Sequence, residues 1–200
     1  MHDFEPWVRA ERERIPVTFG SMLAPSFELA GELADDVLPI YLPLSAVPEL
    51  LGCLERGRAR AGRSAQDVTI SCLIPCCVTE EPARAHATMR RLIATYIGAY
   101  AYYRKHFATL GFGGCIDDVK AAYDRADLAA ATDLVDSELV KLVTVSGDAE
   151  TCRQRVDEYR RAGVERPVVY PVHDRFETYL PDAAARDGVR SAVRALAPDR

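Results

Sequence analysis

Val68-Thr69-Ile70-Ser71-Cys72-Leu73-Ile74 is the stretch on which the fold reading rests. Its β-branched and apolar residues run almost without a break, as in a strand covered on both faces. Such strands belong to parallel sheets, which need helices between their strands. The flanking sequence supplies them. Upstream, Val47, Leu50, Leu51 and Leu54 recur at helical spacing behind Ser45, read as an N-cap. The basic run Arg56, Arg58, Arg60 and Arg63 then suits the negative end of a helix dipole and reads as a solvated helix end. Before it, Val37-Leu38-Pro39-Ile40-Tyr41-Leu42 is a second buried-strand candidate, weakened by Pro39, which cannot donate to a ladder. Ser26 is read as the cap of a helix with Phe27, Ala30, Leu33 and Ala34 on one face. Ile15-Pro16-Val17-Thr18-Phe19-Gly20 is a short strand, and residues 1–14 are a polar lead-in.

Downstream, a helical region runs from Glu80 to about Leu110 and breaks at Gly111, Gly113 and Gly114. Shorter helices fill 117–143, so 80–145 reads as a mostly helical insertion. Asp148 caps a helix carrying Cys152, Val156 and Tyr159, and Gly163 followed by Val164 predicts a Schellman ending. Pro167-Val168-Val169-Tyr170-Pro171-Val172 is the last strand, and an amphipathic helix covers about 183–196. Strand and helix thus alternate four times over one domain, residues 1–200. The pattern predicts an α/β fold with right-handed crossovers, either an open doubly wound sheet or part of a barrel.

Composition narrows the function. The chain has 200 residues, a formal net charge of -5, 48 % hydrophobic and 28 % charged residues. That is globular composition, without the positive excess that phosphate binding along a nucleic acid requires. No run reaches the roughly 20 apolar residues of a membrane helix. The first residues lack a basic region followed by an apolar stretch, so no secretory signal is expected and the cytoplasm is the expected location. The six cysteines and four histidines show no zinc spacing, so no metal is expected and the thiols read as small buried hydrophobes.

Four stretches resemble the luciferase-like monooxygenases: Ile15-Pro16-Val17 through Leu29-Ala30-Gly31-Glu32-Leu33-Ala34-Asp35-Asp36, Arg104 through Phe112, Leu142 through Cys152, and Tyr159 through Pro171. These are flavin- or deazaflavin-dependent oxidoreductases on TIM barrels, and the order of the matches leans towards members using coenzyme F-420. The resemblance implies a partial TIM barrel of about four C-terminal β/α units, with the long insertion before the last strand. A complete barrel takes about 250 residues. The expectation is therefore a half-barrel needing an N-terminal half, supplied by a partner or replaced by homo-oligomerisation. It implies redox chemistry on a small organic substrate with coenzyme F-420 or FMN. The alternative is a non-catalytic half-barrel interaction module or an inactive truncated homologue.

In a parallel barrel the working residues stand at the C-terminal ends of strands. The resemblance places cofactor contacts on Gly20, Ser21, Met22 and Leu23, where small residues let backbone amides approach a phosphate. Gly20 and Ser21 suit that role, whereas Leu23 replaces a family glycine and implies a looser cradle. Tyr41 and His173 are the substrate-pocket candidates, one a strand aromatic and the other a possible acid–base group near neutral pH. His106, beside Arg104 and Lys105, reads as surface. No catalytic residue is assigned.

Overall fold

The computed structural model describes residues 14–173 and 183–197. Of the lead-in expected over 1–14, residues 1–13 lie outside the described residues. Five strands form one parallel sheet: β1 (Thr18–Phe19), β2 (Asp36–Val37), β3 (Thr69–Val78), β4 (Val145–Gly147) and β5 (Arg166–Pro171). Long, apolar β3 is its centre. One edge of β3 carries β2, through Asp36↔Thr69 and Val37↔Ile70, and then β4, through Cys76↔Val145. The other edge carries β5 over six residues, Ser71↔Arg166 to Cys76↔Pro171. Pro39 has the effect its missing N–H requires. The expected strand 37–42 shrinks to two residues, followed by a single bridge, Ile40↔Leu73. β4 falls where no strand is expected, between the helical insertion and the Asp148 cap; three residues ending in a glycine at φ 144° give too short a pattern to announce a strand.

The helices are α1 (Ala24–Leu33), α2 (Val47–Ala61), α3 (Pro82–Ala99), α4 (Ala101–Phe107), α5 (Gly113–Asp124), α6 (Leu128–Leu134), α7 (Ser137–Val143), α8 (Ala149–Arg161) and α9 (Ala183–Leu196). Two expected caps are displaced. Ser26 lies inside α1, which begins at Ala24 with Pro25 in its first turn, and Ser45 sits in a 3-10 turn, Leu44–Ala46, ahead of α2. Asp148 does cap α8, accepting the Thr151 N–H at 2.7 Å. Gly163 ends it at φ 109°, with the Val164 N–H on the Tyr159 carbonyl and its own N–H on that of Arg160. This is the Schellman pattern. The long insertion helix bends earlier than expected, at extended Tyr100, and again at Gly111, φ 97°.

Two cores result. Ile70, Cys72, Ile74 and Cys76 turn one face of β3 towards α1, α2 and α8, packing with Phe27, Leu54 and Tyr159. α1 and α2 meet at glycine: a Cβ on Gly31 would stand 2.2 Å from the Leu54 carbonyl oxygen, and one on Gly57 would stand 1.9 Å from that of Glu28. The second core is the insertion itself, α3 to α7, with Met22, Tyr41 and Val172 added from the strand ends. The basic run is only partly a solvated end. Arg58 is buried and donates to the Val68 carbonyl at 2.6 Å, while Arg63 donates to the carbonyls of Gly31 and Ala34. These two guanidiniums tie α2 to β3 and α1.

Candidate active site at the strand mouths

The ladder puts Thr18, Asp36 and Thr69 on one face of the sheet, continued by Ser71, Leu73 and Pro75 and, on β5, by Arg166, Val168 and Tyr170. At the N-terminal end this face is polar: Ser71 donates to Asp36 at 2.7 Å and Thr18 donates to it at 3.3 Å. Towards the C-terminal end it turns apolar. There Gly20, Ser21, Met22, Leu38, Ile40 and Leu73 line a cavity of about 310 Å³, closed by Tyr96 of α3 and by Tyr102 and Tyr103 of α4.

Gly20, Ser21 and Met22 are thus brought to one cavity. Ser21 and Met22 are buried, and the Ser21 hydroxyl accepts the Leu23 N–H at 3.2 Å. Leu23 does not line the cavity; it is the half-exposed N-cap of α1. Tyr41 stands one layer back, its ring edge-on to Tyr96, Tyr103 and Phe107 at centroid distances of 5.2, 5.6 and 5.3 Å. Its backbone is left-handed, φ 53°, a conformation that costs a non-glycine residue about 1 kcal/mol. His106 holds that turn, with Nε2 3.0 Å from the Tyr41 carbonyl oxygen. The surface reading of His106 is therefore wrong: the ring is buried, and burial lowers its pKa, so it is a neutral imidazole donating from Nε2. His173 belongs to a different cleft, with Cys77, Thr79, Thr88 and Val172, where Gly188 of α9 packs against its ring.

The tyrosines were missed as a group. Tyr96, Tyr100, Tyr102 and Tyr103 place four of the chain's nine tyrosines within eight residues, a density visible in sequence. Burial pushes the Tyr96 hydroxyl up to about 12 and raises those of Tyr41 and Tyr103, so all three stay neutral at ordinary pH. Tyr170, at the mouth of β5, and Tyr100 add to the rise at Tyr96. The thiols are packing groups. Cys72 is pushed up to about 12 by burial, and Cys76 is raised by its contact with the Cys152 thiol and by burial. No helix among the described residues is long and apolar enough to cross a membrane.

The family profile of luciferase-like monooxygenases matches residues 1–166. Over 176 residues the chain is 26 % identical to a protein of Mycobacterium tuberculosis named as a coenzyme F-420-dependent oxidoreductase, covering 82 % of this chain and 50 % of that one. Among solved structures, the F-420-dependent tetrahydromethanopterin reductase of Methanopyrus kandleri superimposes with a TM-score of 0.66 at 21 % identity, covering 90 % of this chain and 49 % of that one. An F-420-dependent secondary alcohol dehydrogenase gives 0.64 at 17 % identity, covering 93 % and 50 %. The chain spans about half the length of the relatives it matches. Parallel strands, crossover helices and an insertion ahead of the last strand are the corresponding part of a TIM barrel, and the chain belongs to the luciferase-like monooxygenase family.

Proposed function

We propose that this chain is the C-terminal half of an oxidoreductase barrel that works on a small organic molecule with coenzyme F-420; FMN is the rival cofactor. The observation that carries the reading is the convergence of the segments after β1 and β2, with Leu73 from the middle of β3, on one cavity rimmed by Gly20-Ser21-Met22 ahead of α1. Both cofactors bear phosphate, and the residues present suit one. The first turn of α1 holds no acidic side chain and no side-chain cap, so its positive end is open to an anion. A Cβ on Gly20 would meet nothing within 4 Å, which leaves space for a group to approach the backbone. Ser21 accepts from Leu23 and keeps its O–H for a ligand. The bound cofactor would supply the two-electron chemistry, while the protein binds and orients. Tyr41 is assigned a supporting role behind the cavity wall and His173 a place in the neighbouring cleft.

We also propose that a four-unit N-terminal half, on the same or another polypeptide, covers the β1 side. Among the described residues β1 pairs with β2 alone, and around it Ile15, Val17, Leu29 and Leu33 are exposed. An open parallel edge beside apolar side chains is where the next β/α unit of a barrel packs. The described cysteines form no disulfide, which suits a reducing, cytoplasmic setting. Fluorescence titration with F-420 and with FMN, on the chain together with such a half, tests the reading. Saturable binding that Gly20→Val weakens at least tenfold without changing the melting temperature supports it. No binding by the completed barrel would favour the interaction-module alternative.

A further inference from the structure

The cleft that holds His173 shares no lining residue with the cavity beside Gly20. It lies where β3 and β5 end, the side of a parallel barrel on which chemistry is done. The ladder between these strands runs one step past its last pair, with the Val172 N–H on the Cys76 carbonyl at 2.7 Å. That step sets His173 beside the exit of β3, Cys77-Val78-Thr79. α3 then starts at Pro82 and brings Arg84 and Thr88 over the same opening. α9 fixes the imidazole from another side, since a Cβ on Gly188 would stand 2.1 Å from Cδ2 of His173. The cleft measures about 110 Å³. Pockets that hold a whole small molecule run from about 300 Å³ upward, so this one has the size for a single polar group. A groove of about 570 Å³ between α3 and α6 adjoins it and shares Arg84 and Thr88 with it.

We propose that this cleft binds the phosphate group of a phosphomonoester whose organic part lies in the groove between α3 and α6. Three donors border the cleft. Arg84 brings a planar guanidinium, which also meets the Glu81 carboxylate at 3.4 Å; both side chains are exposed, and the fork carries five N–H groups. Such a fork matches two phosphate oxygens at once. Thr79 accepts the Glu81 N–H at 3.3 Å through Oγ1 and keeps its O–H to donate. His173 carries a ring N–H in every protonation state. Thr88 serves differently, its hydroxyl donating to the Arg84 carbonyl at 2.9 Å. Among the described residues no Asp or Glu lines the cleft, so a phosphate meets no opposing carboxylate there. The groove pairs apolar Ala87, Leu128 and Ala129 with charged Arg91 and Asp133, which suits a mixed organic body. The inference adds a second ligand to the proposed cofactor and does not rest on that reading.

The test is calorimetric titration of the 200-residue chain with phenyl phosphate and with inorganic phosphate. Phenyl phosphate is expected to bind saturably, and inorganic phosphate more weakly because it leaves the groove empty. Arg84→Gln should weaken phenyl phosphate about tenfold, the loss of a charge-assisted pair, and Arg84→Lys should restore part of it. Arg84 is exposed, so neither change disturbs the core. Thr79→Val should weaken binding about fivefold, the loss of one neutral hydrogen bond. No saturable binding, or an affinity unchanged in Arg84→Gln, would overturn the proposal. Equal affinity for the two probes would make free phosphate the ligand and overturn the ester. Phosphate affinity that falls in Gly20→Val but not in Arg84→Gln would put the anion in the other cavity and overturn the site. F-420 binding is read separately by its own fluorescence. Cofactor binding without phosphate binding overturns this inference alone, whereas phosphate binding in the cleft without cofactor binding overturns the oxidoreductase reading alone.

Discussion

The two cores of this molecule each bury a tyrosine almost completely, and they treat its hydroxyl in opposite ways. In the β/α core, Tyr159 donates to the Leu42 carbonyl at 2.8 Å. In the insertion core, Tyr41 has no such bond. The same division appears at glycine. Gly31 and Gly57 let two helix backbones touch, whereas Gly98 of α3 makes room for the ring of Tyr123, 2.1 Å from where a Cβ would be. The β/α half is thus closed against itself backbone to backbone, although there too one buried polar atom, Nε of Arg58, has no hydrogen-bond partner. The insertion is assembled from aromatic rings and leaves a polar atom unused beside a cavity. One region is packed as scaffold, and the other packs rings around a cavity.

The sharpest way to break that contrast is Gly57→Ala. The new Cβ collides with the backbone of α1, which cannot rotate aside, and destabilisation of about 3 kcal/mol is expected by urea unfolding. Gly52→Ala is the control: only the flexible end of Arg56 lies near, at 3.8 Å, and a gain of a few tenths to about 1 kcal/mol is expected. Next comes Tyr159→Phe. It strands a buried carbonyl and should cost about 2 kcal/mol. Gly98→Ala should cost about 2 kcal/mol, because the new Cβ would stand 2.1 Å from Cγ of Tyr123 and the whole ring must shift, offset in part by the alanine the helix gains. Tyr41→Phe should do the reverse of Tyr159→Phe and stabilise the fold by up to about 1 kcal/mol, since it removes an unsatisfied hydroxyl. A destabilised Tyr41→Phe would erase the contrast.

The smallest effect is a slope. Burial keeps the His106 pKa below that of a free imidazole, about 6.5. The unfolded chain therefore takes up a proton near that pH which the folded chain resists. The stability this group contributes is complete above about pH 6.5 and is lost as pH falls from there through its folded pKa. His106→Gln keeps a donor for the Tyr41 carbonyl and should flatten this part of the pH dependence in urea midpoints taken from pH 7.5 to 5. An unchanged slope would mean that the ring is not held neutral.

How much of this was legible follows the same division. Val68 to Ile74, the helix capped by Asp148 and the Gly163 ending carry strong local chemistry, and each stands close to where the sequence puts it. Of the expected cofactor contacts, Gly20, Ser21 and Met22 line one cavity and Leu23 does not. What escaped was set by tertiary contact. His106 looks like a surface residue between basic neighbours, yet it turns inward because the Tyr41 carbonyl needs a donor. Arg58 reads as one of a solvated run, yet it is the residue of that run facing Val68. The tyrosine cluster had a signal in its density, but α3 and α4 had to bend at Tyr100 before their rings could face the strand mouths. His173 and Tyr41 both stand near strand ends, and the packing of α9 and of the insertion separates them from the cavity beside Gly20.

The central claim is that this half-barrel, completed, holds a phosphate-bearing redox cofactor at Gly20–Met22. The most direct measurement is the fluorescence anisotropy of F-420 titrated with this chain in the presence of the N-terminal half of its Mycobacterium tuberculosis relative, for wild type and Gly20→Val side by side. The account predicts a saturable rise in anisotropy for wild type and at least a tenfold weaker one for Gly20→Val, with equal melting temperatures. A flat titration with wild type in a correctly assembled barrel, or equal binding by both proteins, would contradict it.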